Sequence, residues 1–171
     1  TTVFEVAGTV VLDLNDKTIT NTGVRKVGKV ILVNEGASLT IDGGSLVSEH
    51  DSAIQNKGTL VVNGGSYTGT EGAVFFLGDS VTTIEDGTFT ASDNAVIIGQ
   101  GLVENGNCTL TINGGTFTGN ITDGSFAAGY IACGIYIPNS GTYTINGGTF
   151  NIVKGCGICA AVCPFGAIEM Q

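Results

Sequence analysis

Ile112-Asn113-Gly114-Gly115-Thr116-Phe117 runs an apolar residue, an Asn, two glycines, a hydroxyl residue and a large apolar residue in a row. The phrase recurs as Ile145-Asn146-Gly147-Gly148-Thr149-Phe150, Val62-Asn63-Gly64-Gly65-Ser66-Tyr67 and Ile41-Asp42-Gly43-Gly44-Ser45-Leu46. Looser copies are Ile84-Glu85-Asp86-Gly87-Thr88-Phe89 and Leu14-Asn15-Asp16-Lys17-Thr18-Ile19. The last residues of successive copies lie 27, 21, 22, 28 and 33 positions apart, a base period near 22 with insertions. Self-similarity at such a period marks a repeat architecture, and 22 residues suit one coil of a β-solenoid.

The residues before each turn alternate, as in Leu39/Ile41, Leu60/Val62, Leu110/Ile112 and Tyr143/Ile145, with Ser, Thr or Val between. Period two specifies strand. A second column pairs a small residue with a β-branched one in Ala53-Ile54, Ala73-Val74, Ala95-Val96, Gly134-Ile135 and Gly157-Ile158. Each coil therefore offers about three short apolar faces, which stay open unless a neighbouring coil covers them. At the corners Gly takes the positive φ of a sharp bend and Asn tolerates it. Asn63, Asn113 and Asn146, with Asp42 and Glu85 in the same column, are expected to form a partial polar stack. The Gly-Gly pair does not read as a phosphate loop, because no lysine follows it and no helical pattern opens after it.

Gly is 28 of 171 residues, Pro is two, Trp is absent, and no stretch carries a helical period. The length suits a single domain, 1–171, with a sizeable core. Within it, 1–36 read as an N-terminal capping coil, 37–152 as regular coils and 153–171 as a cysteine-rich final coil that stops short of its turn. The chain begins at Thr1 without a methionine, as expected of a mature or trimmed chain. No apolar run is long enough to span a membrane. The net charge is −9, and positions 58 to 153 hold seven acids and no Lys or Arg. Nucleic-acid binding needs cations to neutralise phosphate, so that function is excluded.

The period, the Asn-Gly-Gly-Thr-Phe phrase and the Leu12-Asp13-Leu14-Asn15 opening resemble right-handed parallel β-helix proteins of the pectate-lyase-like superfamily. That resemblance implies an all-β, right-handed parallel β-helix with longer loop insertions in the later coils. Such modules serve as phage fibres and tailspikes, bacterial surface proteins, and polysaccharide lyases or hydrolases, so the motif identifies architecture more than chemistry. Lyases of this fold use an Arg or Lys base, which the central coils lack. A hydrolase needs two or three carboxylates on one face, and the candidates are Glu85 and Asp86 facing an Asp of a neighbouring coil, with carboxyl groups ~5–9 Å apart. His50 is the one histidine and reads as a solvated loop residue.

The stretch Cys156-Gly157-Ile158-Cys159-Ala160-Ala161-Val162-Cys163-Pro164 resembles the cluster-binding run of bacterial-type ferredoxins. It matches the second, third and fourth cysteines of that run, with Val153 where the first belongs. The repeat accounts for part of the match, since Cys133-Gly134-Ile135 stands 23 residues before Cys156-Gly157-Ile158. Cys133 and Cys156 are then expected on adjacent coils, ~4.8 Å apart. Three states stay open: structural thiols, a Cys133–Cys156 disulfide, or an iron–sulfur site held by Cys133, Cys156, Cys159 and Cys163. Cys108, at the start of a strand, is left over.

The function expected from these features is a non-catalytic structural or adhesive β-helix. A phage-fibre or virion-surface setting stands ahead of a bacterial surface, and the expected localisation is extracellular or the virion surface. The insertions at 103–108 and 119–133 would face a glycan or cell-surface receptor, with Phe126, Tyr130 and Tyr136 placed to stack on sugars. The expected partners are further copies in a homo-oligomer, a trimer among them, or a chain stacked on the C-terminal end. No cofactor is expected, and an iron–sulfur electron-transfer module and a polysaccharide-degrading enzyme are the alternative readings.

Overall fold

The computed structural model describes residues 3–24, 27–92, 96–99, 106–119, 134–137 and 140–152. Every regular element among them is a β-strand. The first coil holds β1 (Phe4–Val6), β2 (Thr9–Asp13) and β3 (Thr18–Asn21). The second holds β4 (Ile31–Val33), β5 (Ser38–Asp42) and β6 (Ser45–Ser48). The third holds β7 (Ser52–Asn56), β8 (Thr59–Val62) and β9 (Ser66–Gly69). The fourth follows with β10 (Gly72–Phe76), β11 (Val81–Ile84) and β12 (Thr88–Ala91). The fifth has β13 (Ile97–Gly99), β14 (Cys108–Ile112) and β15 (Thr116–Gly119). The sixth has β16 (Ile135–Tyr136), β17 (Gly141–Ile145) and β18 (Thr149–Ile152).

Each strand pairs in parallel with the corresponding strand of the coil before and after it, building three six-stranded sheets. The first sheet is β1-β4-β7-β10-β13-β16, the second β2-β5-β8-β11-β14-β17 and the third β3-β6-β9-β12-β15-β18. The chain is thus an all-β stack of parallel strands of the β-solenoid kind. The segment 1–36 supplies the whole first coil and also β4, the opening strand of the second.

Register follows the repeat phrase closely. Ile19, Leu46, Tyr67, Phe89, Phe117 and Phe150, the last residues of the six copies, are successive partners across the third sheet. Two readings need correction. The partner of Ile41 is Leu12, where the phrase alignment put Leu14. The first turn is two residues longer than the others, and it bends through Asn15 at φ 45° and Asp16 at φ 59°. Leu14 instead folds down onto Gly44 and is buried there. In the first sheet Val74 pairs with Ile97, one residue beyond the expected Val96. The Val96 carbonyl takes both the Ala73 and the Val74 amides, which delays the strand by one position.

Inward residues form one core running the length of the stack, including Ile31, Leu39, Ile41, Leu46, Ile54, Leu60, Ile84 and Ile112. Its spine is aromatic. Tyr67 stacks on Phe89 at 5.0 Å and 14°, Phe89 on Phe117 at 4.9 Å and 9°, and Phe117 on Phe150 at 4.7 Å and 12°. Adjacent strands in a sheet commonly rotate by about 20–25°, so rings this nearly parallel mark a sheet held flat by a side-chain ladder. Seven of the described polar residues are buried, and one of them breaks an apolar column. Thr82 stands in the column of Leu39, Leu60 and Leu110. Its Oγ1 accepts from Asn56 Nδ2 at 2.9 Å, and the same amide donates to the Val81 carbonyl at 2.9 Å. The buried Asn56 is thereby satisfied, which is why the column changes from Leu to Thr there.

Candidate functional site

The corner between the second and third sheets carries the polar stack. Asn63 Nδ2 donates to Asp42 Oδ1 at 2.6 Å, Asn113 Nδ2 to Glu85 Oε2 at 2.9 Å, and Asn146 Nδ2 to Asn113 Oδ1 at 2.8 Å. These are the five residues expected in that column. Glycines after them let the next coil pass close overhead. Gly65 has φ 107°, and a Cβ there would lie 2.7 Å from the Gly43 carbonyl oxygen. The Ser66 amide donates to the Gly44 carbonyl at 2.9 Å and the Thr88 amide to Gly65 at 2.8 Å, so the corners are bonded coil to coil.

The acids nearest to a hydrolytic pair are occupied by this corner. Glu85 accepts from Asn113, and Asp86 Oδ1 accepts from the Gly87 amide at 2.8 Å, holding its own turn. His50 is exposed. Asp51 is buried, and its Oδ1 receives the Ser52 amide at 2.7 Å, the Ser52 hydroxyl at 3.1 Å and Gln55 Nε2 at 3.2 Å. Nearby, Asn21 Nδ2 donates to the Lys29 carbonyl at 2.7 Å, and its Oδ1 accepts from Gly23 at 2.8 Å. Asn21 thereby pins the connection between the first two coils, and Asp51 holds the opening of β7 in the third. Among the described residues no group of three His, Cys, Asp or Glu is placed to hold a metal ion, and no helix is long and apolar enough to cross a membrane.

Two phenols have raised pKa values. Burial first, and the charge of Asp42 second, push the Tyr67 phenol well above its ordinary range, and its hydroxyl donates to the Gly64 carbonyl at 2.6 Å. Tyr143 is raised by burial and then by Cys108. Cys108 opens β14 in a fully buried position, and its thiol lies 2.8 Å from the Gly78 carbonyl.

Outward residues of the third sheet form two columns. One is Thr18, Ser45, Ser66, Thr88, Thr116 and Thr149; the other is Thr20, Val47, Thr68, Thr90, Thr118 and Asn151. None is buried and none is charged. The second sheet presents a similar but more broken face. Val11, Val61 and Val81 interrupt its hydroxyls, and Asp13, Asp42 and Glu85 border it. These columns were missed in the sequence. Their signal is a Thr or Ser on either side of the large apolar residue that closes a copy, as in Thr88-Phe89-Thr90 and Thr116-Phe117-Thr118.

Of the sugar-stacking candidates, Tyr136 is described. It ends β16, half-buried, in register with Ile98. Its neighbour Ile135 packs on the core, so alternation sets Tyr136 on the outer side of the first sheet. Phe126, Tyr130, Cys133, Cys156, Cys159 and Cys163 lie outside the described residues, as do 153–171, residues 103–105 of the first insertion and 120–133 of the second.

Residues 154–169 match the family model of the 4Fe-4S binding domain, a span that contains Cys156, Cys159 and Cys163. No curated protein and no solved structure matches the chain.

Proposed function

We propose that this chain is a right-handed parallel β-helix, with coils of about 22 residues, that works as a non-catalytic structural or adhesive rod. It holds the insertions at 103–108 and 119–133 toward a glycan or cell-surface receptor. The observation that carries this reading is the commitment of side chains to the stack: the aromatic spine, the corner amides and the acids beside them bond one coil to the next. Right-handedness follows from the strong chiral preference of connections between parallel strands in one sheet. The test is a glycan array probed with the whole chain and with Phe126→Ala, Tyr130→Ala and Tyr136→Ala. Loss of signal with an unchanged melting temperature supports the reading. A wild-type chain that binds neither glycans nor cell surfaces sinks the adhesive half of it.

A second reading has its own support in the family match at 154–169. Cys156, Cys159 and Cys163, with Cys133 as fourth donor, would hold an iron–sulfur cluster for electron transfer or redox sensing. Cysteine thiolates are the usual ligands of such clusters, and about four irons and four labile sulfides per chain are expected from a cubane form. Iron and acid-labile sulfide are measured on anaerobically reconstituted protein, with Cys159→Ser as comparison. No bound iron and five free thiols would remove this reading.

A further inference from the structure

We propose that the outer face of the third sheet binds the surface of crystalline ice. Its two outward columns hold twelve positions, of which ten carry a Ser or Thr hydroxyl, one is Val47 and one is Asn151. The chain has 21 charged residues, 15 acidic and 6 basic, and none falls on this face. Charged side chains are the ordinary covering of a protein surface, so their absence over six successive strands needs a cause. None of the ten hydroxyls enters a side-chain hydrogen bond with the described residues, so all of them face outward unengaged.

Geometry makes the face a lattice. In-register parallel pairing repeats like groups every ~4.8 Å across the strands, and alternation repeats them every ~6.7 Å along each strand. Thr88, Thr90, Thr116 and Thr118 form the central cell, with Thr88 beside Thr116 and Thr90 beside Thr118. A β-branched side chain has few χ1 choices, so each threonine fixes both its methyl and its hydroxyl. The aromatic spine lies directly beneath, contributed by the residue between the two columns. Its ring planes turn by only 9° to 14° per coil. The columns therefore stay straight over several coils, and a match made at one coil carries to the next.

The occupant follows from what the face lacks. A strip of ~24 Å by ~10 Å is far below the roughly 800 Å² per partner of a stable protein interface, so a second copy is poorly served. A nucleic acid needs cations. A sugar chain is gripped by exposed aromatic platforms, and the aromatic residues of this sheet, Tyr67, Phe89, Phe117 and Phe150, all turn toward the core. What remains is a neutral solid whose surface is itself a network of hydroxyl groups. The oxygen rows of hexagonal ice repeat close to both spacings of the face. Hydroxyls hold first-layer waters in those positions, the methyls fill the gaps between them, and the held waters join the crystal. An adsorbed rod then blocks growth of the front beneath it.

The experiment measures thermal hysteresis and ice-crystal shape with the whole chain, together with its partition into a growing ice hemisphere. Thr90→Lys/Thr118→Lys breaks the lattice, and Thr83→Lys/Thr111→Lys places the same charges on the second sheet. The expected result is faceted crystals and uptake into ice for the wild type and the second-sheet variant, with both lost in the third-sheet variant at an unchanged circular dichroism spectrum. A wild-type chain excluded from ice overturns the proposal, whatever the variants do. So does a folded third-sheet variant with full activity. Exclusion from ice combined with retention on microcrystalline cellulose would assign the face to a sugar lattice instead. Should the third-sheet variant not fold, the wild-type partition decides.

Discussion

Phe117→Ala is the most demanding test of the core. The ring is fully buried, and it stacks on Phe89 at 4.9 Å and on Phe150 at 4.7 Å. Truncating a buried Phe to Ala costs about 3–5 kcal/mol through lost transfer energy and the cavity left behind. Each aromatic pair adds about 0.5–1.5 kcal/mol beyond burial, and two pairs vanish together, so about 5 kcal/mol is expected. That approaches the whole stability of many domains, about 5–15 kcal/mol. Phe150 is partly buried and stacks on Phe117 alone among the described residues. Phe150→Ala should therefore cost about half as much. Phe117→Leu keeps most of the apolar volume and loses the stacking, for about 1–2 kcal/mol. Urea unfolding followed by circular dichroism reads all three from the midpoint and slope. A drop in slope for Phe117→Ala alone would mean that the coils on its two sides no longer unfold together, as a linear array of neighbour contacts allows. A cost below about 2 kcal/mol, or one equal to that of Phe150→Ala, would refute the continuous spine.

Adjacent glycines should respond oppositely. Gly65→Ala forces a Cβ to 2.7 Å from the Gly43 carbonyl at φ 107° and should cost more than about 2 kcal/mol, while Gly64→Ala meets nothing within 4 Å and should be neutral or slightly stabilising in the same urea assay. Asn113→Asp replaces the amide that donates to Glu85 with a second carboxylate, so the exposed corner should lose under about 1 kcal/mol at neutral pH. Acid sufficient to protonate one of the two carboxyls should recover that loss, and equal effects at both pH values would show that the corner bond is idle. The Tyr67 pKa is raised on folding, so its contribution is complete below the unfolded phenol value of about 10 and is lost as pH climbs toward the folded value. Ultraviolet titration should show one phenol ionising only together with alkaline unfolding, and Tyr67→Phe should remove that step. Ionisation of every tyrosine in a still-folded chain would contradict the burial.

How much of this was legible depended on whether a residue obeyed the period. Ile19, Leu46, Tyr67, Phe89, Phe117 and Phe150 could be aligned by eye because strand register and repeat register coincide in the third sheet. The corner stack from Asp42 to Asn146 was readable for the same reason: one polar residue per turn must sit above its equivalent. Leu14 misled because it is apolar and buried, yet it belongs to a longer turn and covers Gly44 instead of joining the strand column. Val96 misled because backbone bonding, which leaves no trace in side-chain pattern, delays its strand. The break at Thr82 has its cause in Asn56, 26 residues earlier, which is too distant for local alternation to reveal. The repeat sets Cys133 and Cys156 one coil apart, and both lie outside the described residues, as does most of the aromatic insertion.

Register across the coils also makes the molecule a ruler. Coil lengths differ in sequence, with partner offsets of 22 from Thr59 to Val81 and 28 from Val81 to Thr109, yet each coil advances the rod by the same ~4.8 Å. The extra residues fall between strands in the sequence and leave the register of the paired strands untouched. Excising residues 59–80 would splice Val81 into the place of Thr59, against a strand that already accepts its equivalent. Reach along the axis is therefore quantised, set by how many coils a gene encodes, while the breadth of each coil varies independently of it.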